Sequence, residues 1–264
     1  MSSKNRLKLI ALYMILVVGI GSAGFFAVVL TLDIMTARES EAFFDSVAIE
    51  FVPRQSPTAN LVQLAAEPDE AYKEVEHFEI DFDGLRESFP SVIGWIQSEG
   101  TPINFPIVQG IDNDFYLYHL PNRQRNSLGS IYMDYRNNSD FSSKITIIYG
   151  HDVSGGAMFG SLRNYRSQEF FEEHHSMFIF TPEQNYELLL FAGYILDSAF
   201  EIPPMSFSGP DDFYAFISNI KNRSMFSSDR AVSYGDNLVM LATCVAAGSR
   251  SDRLIIAGKM VPIE

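Results

Sequence analysis

The chain opens with a long run of uncharged residues. From position 9 to position 32 no charged side chain occurs, a stretch of 24 residues. At about 1.5 Å per residue, a helix of this length crosses a hydrocarbon core of roughly 30 Å. The run is longer than a signal-peptide core of about 7–15 residues, although the small residues at 21–24 are also compatible with a cleavage site. The pattern predicts a transmembrane anchor at residues 9–32.

The charges on either side of this run predict its orientation. Lys4, Arg6 and Lys8 precede it, whereas Asp33 and Glu39 follow it. Under the positive-inside rule, residues 1–8 are then cytoplasmic and everything after residue 32 is outside. The sequence therefore predicts a single-pass protein of the cell membrane with an extracellular C-terminal domain.

Residues 33–76 mix helix-favouring and polar positions without a clear period. Pro53, Pro57 and Pro68 divide this stretch into short pieces, because proline ends a helix. We expect an extracellular stalk with a helical N-terminal segment, which connects the membrane to a catalytic domain at residues 77–264.

From residue 77 onward, short apolar or alternating runs are bounded by Gly, Pro, Asn and Asp, which is typical of a strand-rich domain. The predicted strands are 103–108, 129–133, 144–149, 177–180, 186–196, 238–245 and 253–261. The predicted helices are 83–89, 168–174 and 211–222. In the last of these, apolar residues recur at a spacing of three and four, as on one face of a helix. The predicted fold class is mainly β with short helices, arranged as a closed or nearly closed barrel.

Composition and charge narrow the classes of partner. The formal net charge is -14, and such a surface repels phosphate backbones, which argues against nucleic acid as a partner. The chain has a single cysteine, which excludes an intramolecular disulfide and a Cys-rich zinc site. Since no His, Asp and Glu residues recur at metal-ligand spacing, we predict neither a metal nor a cofactor.

The single cysteine, Cys244, stands at the end of a predicted strand. The small residues at 245–249 follow it and would leave its sulfur accessible. Arg253 begins the next strand, and a guanidinium there would favour the thiolate and donate hydrogen bonds to an oxyanion. Arg250, in the connecting loop, is a competing candidate for that role. A buried cysteine without chemistry is the alternative interpretation.

His151 follows the predicted strand 144–149 and comes directly after Gly150. Gly150 permits a sharp change of backbone direction, which would present the imidazole at the end of the strand. A histidine there can carry a proton between a thiol and a leaving amine. Asp152 places a negative charge beside the ring, which would favour the imidazolium.

These segments and their order resemble the sortases. The segments are Tyr149-Gly150-His151, Met-Phe-Gly-Ser-Leu at 158–162, Thr243-Cys244, and Arg-Leu-Ile-Ile-Ala-Gly-Lys at 253–259. The segments 113–117 and 129–137, and the helix before the cysteine strand, are similar to class B. The resemblance covers roughly residues 76–264.

The resemblance implies an eight-stranded β-barrel with peripheral helices and a cysteine transpeptidase activity. Such an enzyme cleaves the C-terminal sorting signal of surface proteins after Thr, through a thioacyl intermediate. It then transfers them to a peptidoglycan or pilin amine at a Gram-positive-type cell surface. The resemblance gives catalytic roles to His151, Cys244 and Arg253. It places four residues in the substrate groove: Asn113, Leu117, Tyr149 and Thr243.

Two alternatives remain open on the residues alone. A membrane-anchored cysteine protease shares the first half-reaction and differs only in the nucleophile that reaches the thioester. Papain-like enzymes place Cys before His, and caspases separate His and Cys by about 50 residues, whereas this chain has His first and a larger separation. The second alternative is a non-catalytic anchored binding module, against which the position of Cys244 argues.

Overall fold

The computed structural model describes residues 3–52, 80–153, 155–196, 202–244 and 253–263, and it leaves the side chains of residues 3–24, 32, 33 and 244 outside that description. The chain divides into two compact units, Met1–Phe43 and Phe44–Glu264. The second unit contains all the strands found among the described residues.

A single helix, α1 (Ser3–Phe51), accounts for the described residues of the first unit and continues into the second. Within the part of the chain that is described, no helix combines the length and the apolar character needed to cross a membrane. The predicted span 9–32 lies on α1, but most of its side chains are outside the described ones, so the anchor stays a prediction. The predicted stalk is helical up to Phe51, and its remainder from residue 53 lies outside the described residues.

Eight strands form a closed barrel in the order β1-β2-β3-β4-β7-β8-β6-β5, which confirms the predicted fold class. The strands are β1 (Val92–Gln97), β2 (Asn104–Gln109), β3 (Ile131–Met133), β4 (Ile145–His151), β5 (Ser176–Phe180), β6 (Asn185–Leu196), β7 (Leu238–Cys244) and β8 (Arg253–Ile263). The pairs β2–β3 and β4–β7 are parallel, and the other neighbours are antiparallel. A parallel pair requires a long crossover, and the β4–β7 crossover carries most of the helices.

In the described part of the chain, three further α-helices and one 3-10 helix accompany the strands. They are α2 (Phe82–Ser88), the 3-10 helix (Gly160–Arg166), α3 (Gln168–Glu173) and α4 (Pro210–Asn222). The apolar face of α4, formed by Phe213, Ile217 and Ile220, joins a buried cluster with alternate residues of β4, β6, β7 and β8. This packing follows from the period of two along each strand, because side chains on one face of a sheet come from every second residue. The helix thus supports the wall of the barrel that contains β4 and β7.

One strand was not predicted, and the predicted end of another was wrong. β1 was not predicted, and it carries a bulge between Val92 and Gly94 that interrupts the apolar alternation. β4 was predicted to stop before Gly150, with a turn there, but the strand continues through Gly150 to His151. A side chain at Gly150 would meet Ile131 and the ring of Phe159, so the glycine is required for close packing and not for a turn.

Candidate active site

The last residues of β4 and β7 lie side by side. The two strands pair in parallel from Ile145–Leu238 onward, and the final partners in the register are His151 and Cys244. Paired strands are about 4.8 Å apart, so the backbone alone brings the predicted proton carrier next to the predicted nucleophile. Two residues that are distant in sequence are therefore neighbours in the fold.

Arg253 is the first residue of β8, which pairs with β7 on its other side. The antiparallel register of β7 and β8 includes the pair Ala242–Ile255. Two further steps along the same register reach Cys244 and Arg253. The topology thus places the arginine position beside the cysteine position, on the side opposite to His151.

Two contacts fix the beginning of β8. The backbone N–H of Leu254 donates to Thr243 Oγ1 at 3.0 Å, inside the barrel wall. The partly exposed guanidinium of Arg253 lies over the ring of Tyr149, with its carbon 5.9 Å from the ring centre. The competing candidate Arg250 lies outside the described residues.

The imidazole of His151 is oriented by the backbone of a distant loop. His151 Nε2 lies 2.7 Å from the carbonyl oxygen of Leu117. Because a carbonyl oxygen can only accept a hydrogen bond, Nε2 must carry the proton in this contact. In the neutral ring the lone pair is then on Nδ1, and Nδ1 is the nitrogen that can take up a proton.

Burial lowers the pKa of His151, since a charged imidazolium loses its hydration, and the hydrogen bond to Leu117 offsets this only in part. The ring is therefore neutral near pH 7. We expected Asp152 to favour the imidazolium, but its carboxylate is paired with Arg163 instead. Arg163 Nε donates to Asp152 Oδ2 at 2.8 Å. Burial, and not the neighbouring charge, decides the protonation state of the histidine.

The four predicted substrate-binding residues all lie next to the predicted catalytic residues or are connected to them. The Leu117 carbonyl contacts His151, and Leu117 is partly buried. Tyr149 and Thr243 are buried, directly before Gly150 and Cys244 on their strands. Asn113 is partly buried, and its side-chain amide bonds within the protein. Their role toward a substrate stays a prediction.

Asp134 is the main residue of this region that the sequence pattern did not single out. It follows β3 and is fully buried, and it accepts hydrogen bonds from Asn113 Nδ2 at 3.0 Å and from Tyr149 Oη at 3.1 Å. An ionisable residue directly after a buried strand, with Arg136 two positions on, was the available signal. Tyr118 was also missed, and its ring centre lies 6.1 Å from that of His151.

The described residues do not form a metal site. Among the residues that the structure describes, no three side chains of His, Cys, Asp or Glu are grouped so that they could hold a metal ion.

Comparison with known proteins identifies the family. No protein-family model matches the chain. The chain is 35% identical over 171 residues to sortase B of Listeria monocytogenes, which covers 64% of this chain and 70% of the relative. It is 31% identical over 193 residues to sortase B of Staphylococcus aureus, which covers 73% of this chain and 79% of the relative. This chain belongs to the sortase B family.

Solved structures agree with this membership. A Bacillus anthracis protein described as similar to sortase B superposes with a TM-score of 0.71 at 28% identity, covering 86% of this chain and 98% of that one. Sortase B proteins are cysteine transpeptidases, and the pairing of His151 with Cys244 is compatible with that chemistry. The class B resemblance read from the sequence is thereby confirmed.

Proposed function

We propose that this sortase B family member cleaves the C-terminal sorting signal of surface proteins after Thr and transfers them to a cell-wall or pilin amine. Cys244 is the nucleophile, His151 carries the proton, and Arg253 stabilises the oxyanion. The observation that carries this proposal is the register of β4 and β7, which pairs His151 with Cys244.

The first half-reaction forms a thioester. His151 Nδ1 takes the proton of the Cys244 thiol as the sulfur attacks the carbonyl carbon of the Thr residue in the signal. The carbonyl oxygen becomes an oxyanion, to which the guanidinium of Arg253 donates hydrogen bonds. The intermediate then collapses, the carbon–nitrogen bond breaks, and His151 returns its proton to the leaving amine.

The second half-reaction restores the enzyme. An acceptor amine attacks the thioester carbonyl and gives a proton to the neutral His151. The carbon–sulfur bond breaks, an amide forms, and His151 returns the proton to the Cys244 sulfur. Water can replace the amine, so transfer requires that the amine is positioned, an effect worth several kcal/mol.

The substrate classes are supported by relatives. Solved structures include a complex of S. aureus sortase B with substrate and a complex of a sortase B with triglycine, and this chain is 30% identical to both, with a TM-score of 0.66. By analogy, we assign a sorting-signal peptide to the acyl-donor side and an amine to the acceptor side. Asn113, Leu117, Tyr149 and Thr243 are assigned to the donor side.

We also propose that residues 9–32 anchor the protein in the membrane of a Gram-positive-type cell, with the barrel outside. The basic residues before the run and the acidic ones after it support this orientation. On the described part of the run, Phe25 and Phe26 are 73% and 69% exposed, which would be unfavourable in water.

The deciding experiment offers the purified chain a sorting-signal peptide with and without an amine acceptor, and detects products by mass spectrometry. The acceptors should include oligoglycine, a diaminopimelate peptide and a lysine peptide. We expect an amide-linked product that increases with acceptor at the expense of the free acid. Hydrolysis product alone, with every acceptor, would favour the protease alternative.

Two variants test the assigned roles in the same assay. Cys244→Ala should abolish product, because a methyl group cannot form a thioester. Arg253→Lys should lose about 10²–10³ in rate, because lysine keeps the charge but lacks the planar fork of donors. A near-normal Arg253→Lys together with an inactive Arg250→Ala would show that Arg250 is the stabilising residue. A chain that forms no thioester at all would favour the binding-module alternative.

A further inference from the structure

Asp134 is a buried charge held by an unusually complete set of donors. Arg136 binds it with two side-chain bonds, from Nε at 2.8 Å and from Nη2 at 2.7 Å, and with its backbone N–H at 3.0 Å. Burial would raise the pKa of the Asp134 carboxyl, but the hydrogen bonds from Arg136 and Asn113 outweigh it, and the pKa is lowered. The carboxylate is therefore a permanent negative charge with a fixed position.

Two more donors come from segments on either side of the site. Tyr149 Oη, on β4, and Asn113 Nδ2, on the loop between β2 and β3, both point to Asp134 Oδ2. The amide of Asn113 is further fixed because its Oδ1 accepts from the backbone N–H of Tyr135 at 3.0 Å. A single carboxylate oxygen thus joins two separate parts of the chain.

The first of these connections leads to Arg253. The guanidinium of Arg253 lies over the Tyr149 ring. Its carbon is 5.9 Å from the ring centre, within the range of a cation–π contact. A phenol that donates to a carboxylate has a more electron-rich ring, and its hydroxyl cannot swing away. Asp134 therefore orients the Tyr149 ring under Arg253 and strengthens the attraction of that ring for the guanidinium.

The second connection leads to His151. Asn113 and Leu117 belong to one tight loop, in which Asp112 Oδ1 accepts from the backbone N–H of Phe115 at 2.8 Å. The carbonyl of Leu117 then fixes the His151 ring at 2.7 Å. Holding Asn113 in place therefore holds the carbonyl that selects the His151 tautomer.

We propose that Asp134 is a positioning residue that orients both Arg253 and His151, through Tyr149 and through Asn113 respectively. It acts on these two residues only through Tyr149 and Asn113, both of which donate a hydrogen bond to its carboxylate. The inference rests on the roles proposed above for His151 and Arg253, but the arrangement of Arg253 can be measured without any turnover.

The first test removes only the hydroxyl that joins Tyr149 to Asp134. In Tyr149→Phe the ring remains, and we expect the Arg253 side chain to become mobile on the nanosecond scale. The readout is the 15N heteronuclear NOE of the Arg253 Nε–H signal, assigned by its loss in Arg253→Lys. Tyr165→Phe is the matched control, because Tyr165 is equally buried and its hydroxyl donates to the His174 carbonyl at 2.7 Å. An Arg253 signal equally rigid in wild type and Tyr149→Phe would overturn the connection.

The second test separates this role from general destabilisation. Single-turnover acylation of Cys244 by a sorting peptide should slow about three- to tenfold in Tyr149→Phe, the size of one lost hydrogen bond. Alkylation of Cys244 by iodoacetamide forms no oxyanion and depends on Arg253 only through the charge that favours the thiolate, so it should slow less than acylation. Asp134→Asn, which disturbs both connections, should slow both reactions, provided that circular dichroism shows it folded. Equal slowing of acylation and alkylation in Tyr149→Phe would contradict the proposal.

If wild type forms no thioester with any sorting peptide, the proposed function fails, while the mobility measurement on Arg253 still decides the positioning role.

Discussion

At the scale of single residues, position 150 requires glycine because its neighbours leave no room for a side chain, and not because the backbone there needs the conformational freedom of glycine. A Cβ at this position would lie 2.5 Å from Ile131 Cδ1 and 2.7 Å from the ring of Phe159. The isoleucine tip can move, but the phenylalanine ring in the packed wall cannot, so Gly150→Ala forces β4 to shift. We expect a loss of about 1–3 kcal/mol in the free energy of unfolding, as for overpacked cores, measured by urea denaturation.

The matched control for this change is Gly235→Ala, because a Cβ at Gly235 meets nothing within 4 Å. It should alter the free energy of unfolding by less than about 0.5 kcal/mol. Since Gly150 lies directly before His151, Gly150→Ala should also reduce peptide cleavage. A stable and fully active Gly150→Ala would show that the wall of the barrel yields more easily than its packing indicates.

The lowered pKa of His151 gives a second prediction. In the unfolded chain a histidine titrates near 6.5. As the pH falls below this value, the unfolded chain binds a proton before the folded one does, so the stability contribution of His151 is lost between about 6.5 and its lower folded pKa. Above about pH 6.5 the contribution of His151 to the free energy of unfolding does not change with pH. His151→Gln lacks this dependence, so the free energy of unfolding of the wild type should fall relative to that of the variant towards acid pH.

The same shift governs catalysis. A protonated ring cannot accept the thiol proton, so acylation should fall as the pH drops, with a midpoint below about 6.5. The measurement is the pH profile of acylation kcat/KM, read beside the 15N shifts of the ring. An acid limb centred above pH 7 would indicate that His151 is charged in the resting enzyme.

The sequence pattern predicted His151 and Cys244 as site residues, and the fold pairs them, but it did not predict the groups around them. The histidine could be selected because it follows an apolar strand in the order known from sortases. Its contact with the Leu117 carbonyl, and the hydrogen bonds of Tyr149 and Asn113 to Asp134, join residues far apart in the chain. Such contacts depend on the register of strands and leave no local pattern.

At the scale of elements, seven strands could be predicted because each has an apolar run bounded by turn residues. The eighth strand, β1, was not predicted, because the bulge at Gly94 breaks the alternation, although the family resemblance implied eight strands. Gly94 is required there, since a Cβ would lie 3.0 Å from the Phe180 carbonyl and 3.1 Å from the Phe141 ring. The end of β4 was misjudged for a related reason, because a glycine can serve packing as well as turning.

The end of α1 illustrates how packing can change the role of a segment. Residues 33–76 were predicted as a stalk with a helical segment, and the compact unit of the barrel begins within that range, at Phe44. Phe44 is buried and packs edge-on against Phe105 of β2, with ring centres 5.1 Å apart. The Phe51 carbonyl accepts from the backbone N–H of Asp81 at 3.0 Å. The last turns of α1 are therefore part of the barrel unit.

This arrangement predicts that Phe44→Ala destabilises the barrel unit by about 3–5 kcal/mol, the usual cost of removing a buried phenylalanine side chain. The measurement is the free energy of unfolding of the chain from residue 33 onward. Ile49→Ala, on the same part of the helix but 81% exposed, is the control and should have little effect. Equal effects of the two changes would show that this part of α1 does not contribute to the unit.

At the scale of the whole molecule, topology assembles the site. The β4–β7 crossover contains the 3-10 helix, α3, β5, β6 and α4, and only its return to the barrel beside β4 pairs His151 with Cys244. β8 then pairs with β7 and supplies Arg253. The three proposed catalytic positions therefore come from three adjacent strands, and folding of the complete barrel is required before the proposed chemistry is possible.

The net charge of -14 makes the prediction of a membrane anchor more specific, because it excludes attachment through surface charges. An acidic chain is repelled by anionic headgroups, so attachment to a membrane must come from apolar insertion of residues 9–32. We expect the full-length protein to sediment with membranes, to remain there in about 1 M salt, which screens surface charges, and to be released by detergent. A chain that starts at residue 33 retains Phe44 and should be soluble and folded.

A substitution within the run provides the sharper test of insertion. Val18→Arg places a charge near its middle, where insertion costs about 2.5–3.5 kcal/mol more, so the membrane fraction should fall. Ser3→Arg, which adds the same charge before the run, should leave it unchanged. The orientation is tested by protease added to intact protoplasts, which should digest the barrel. A barrel that becomes accessible only after lysis would reverse the topology, and would remove from the enzyme both the surface proteins and the cell-wall amines on which its proposed function depends.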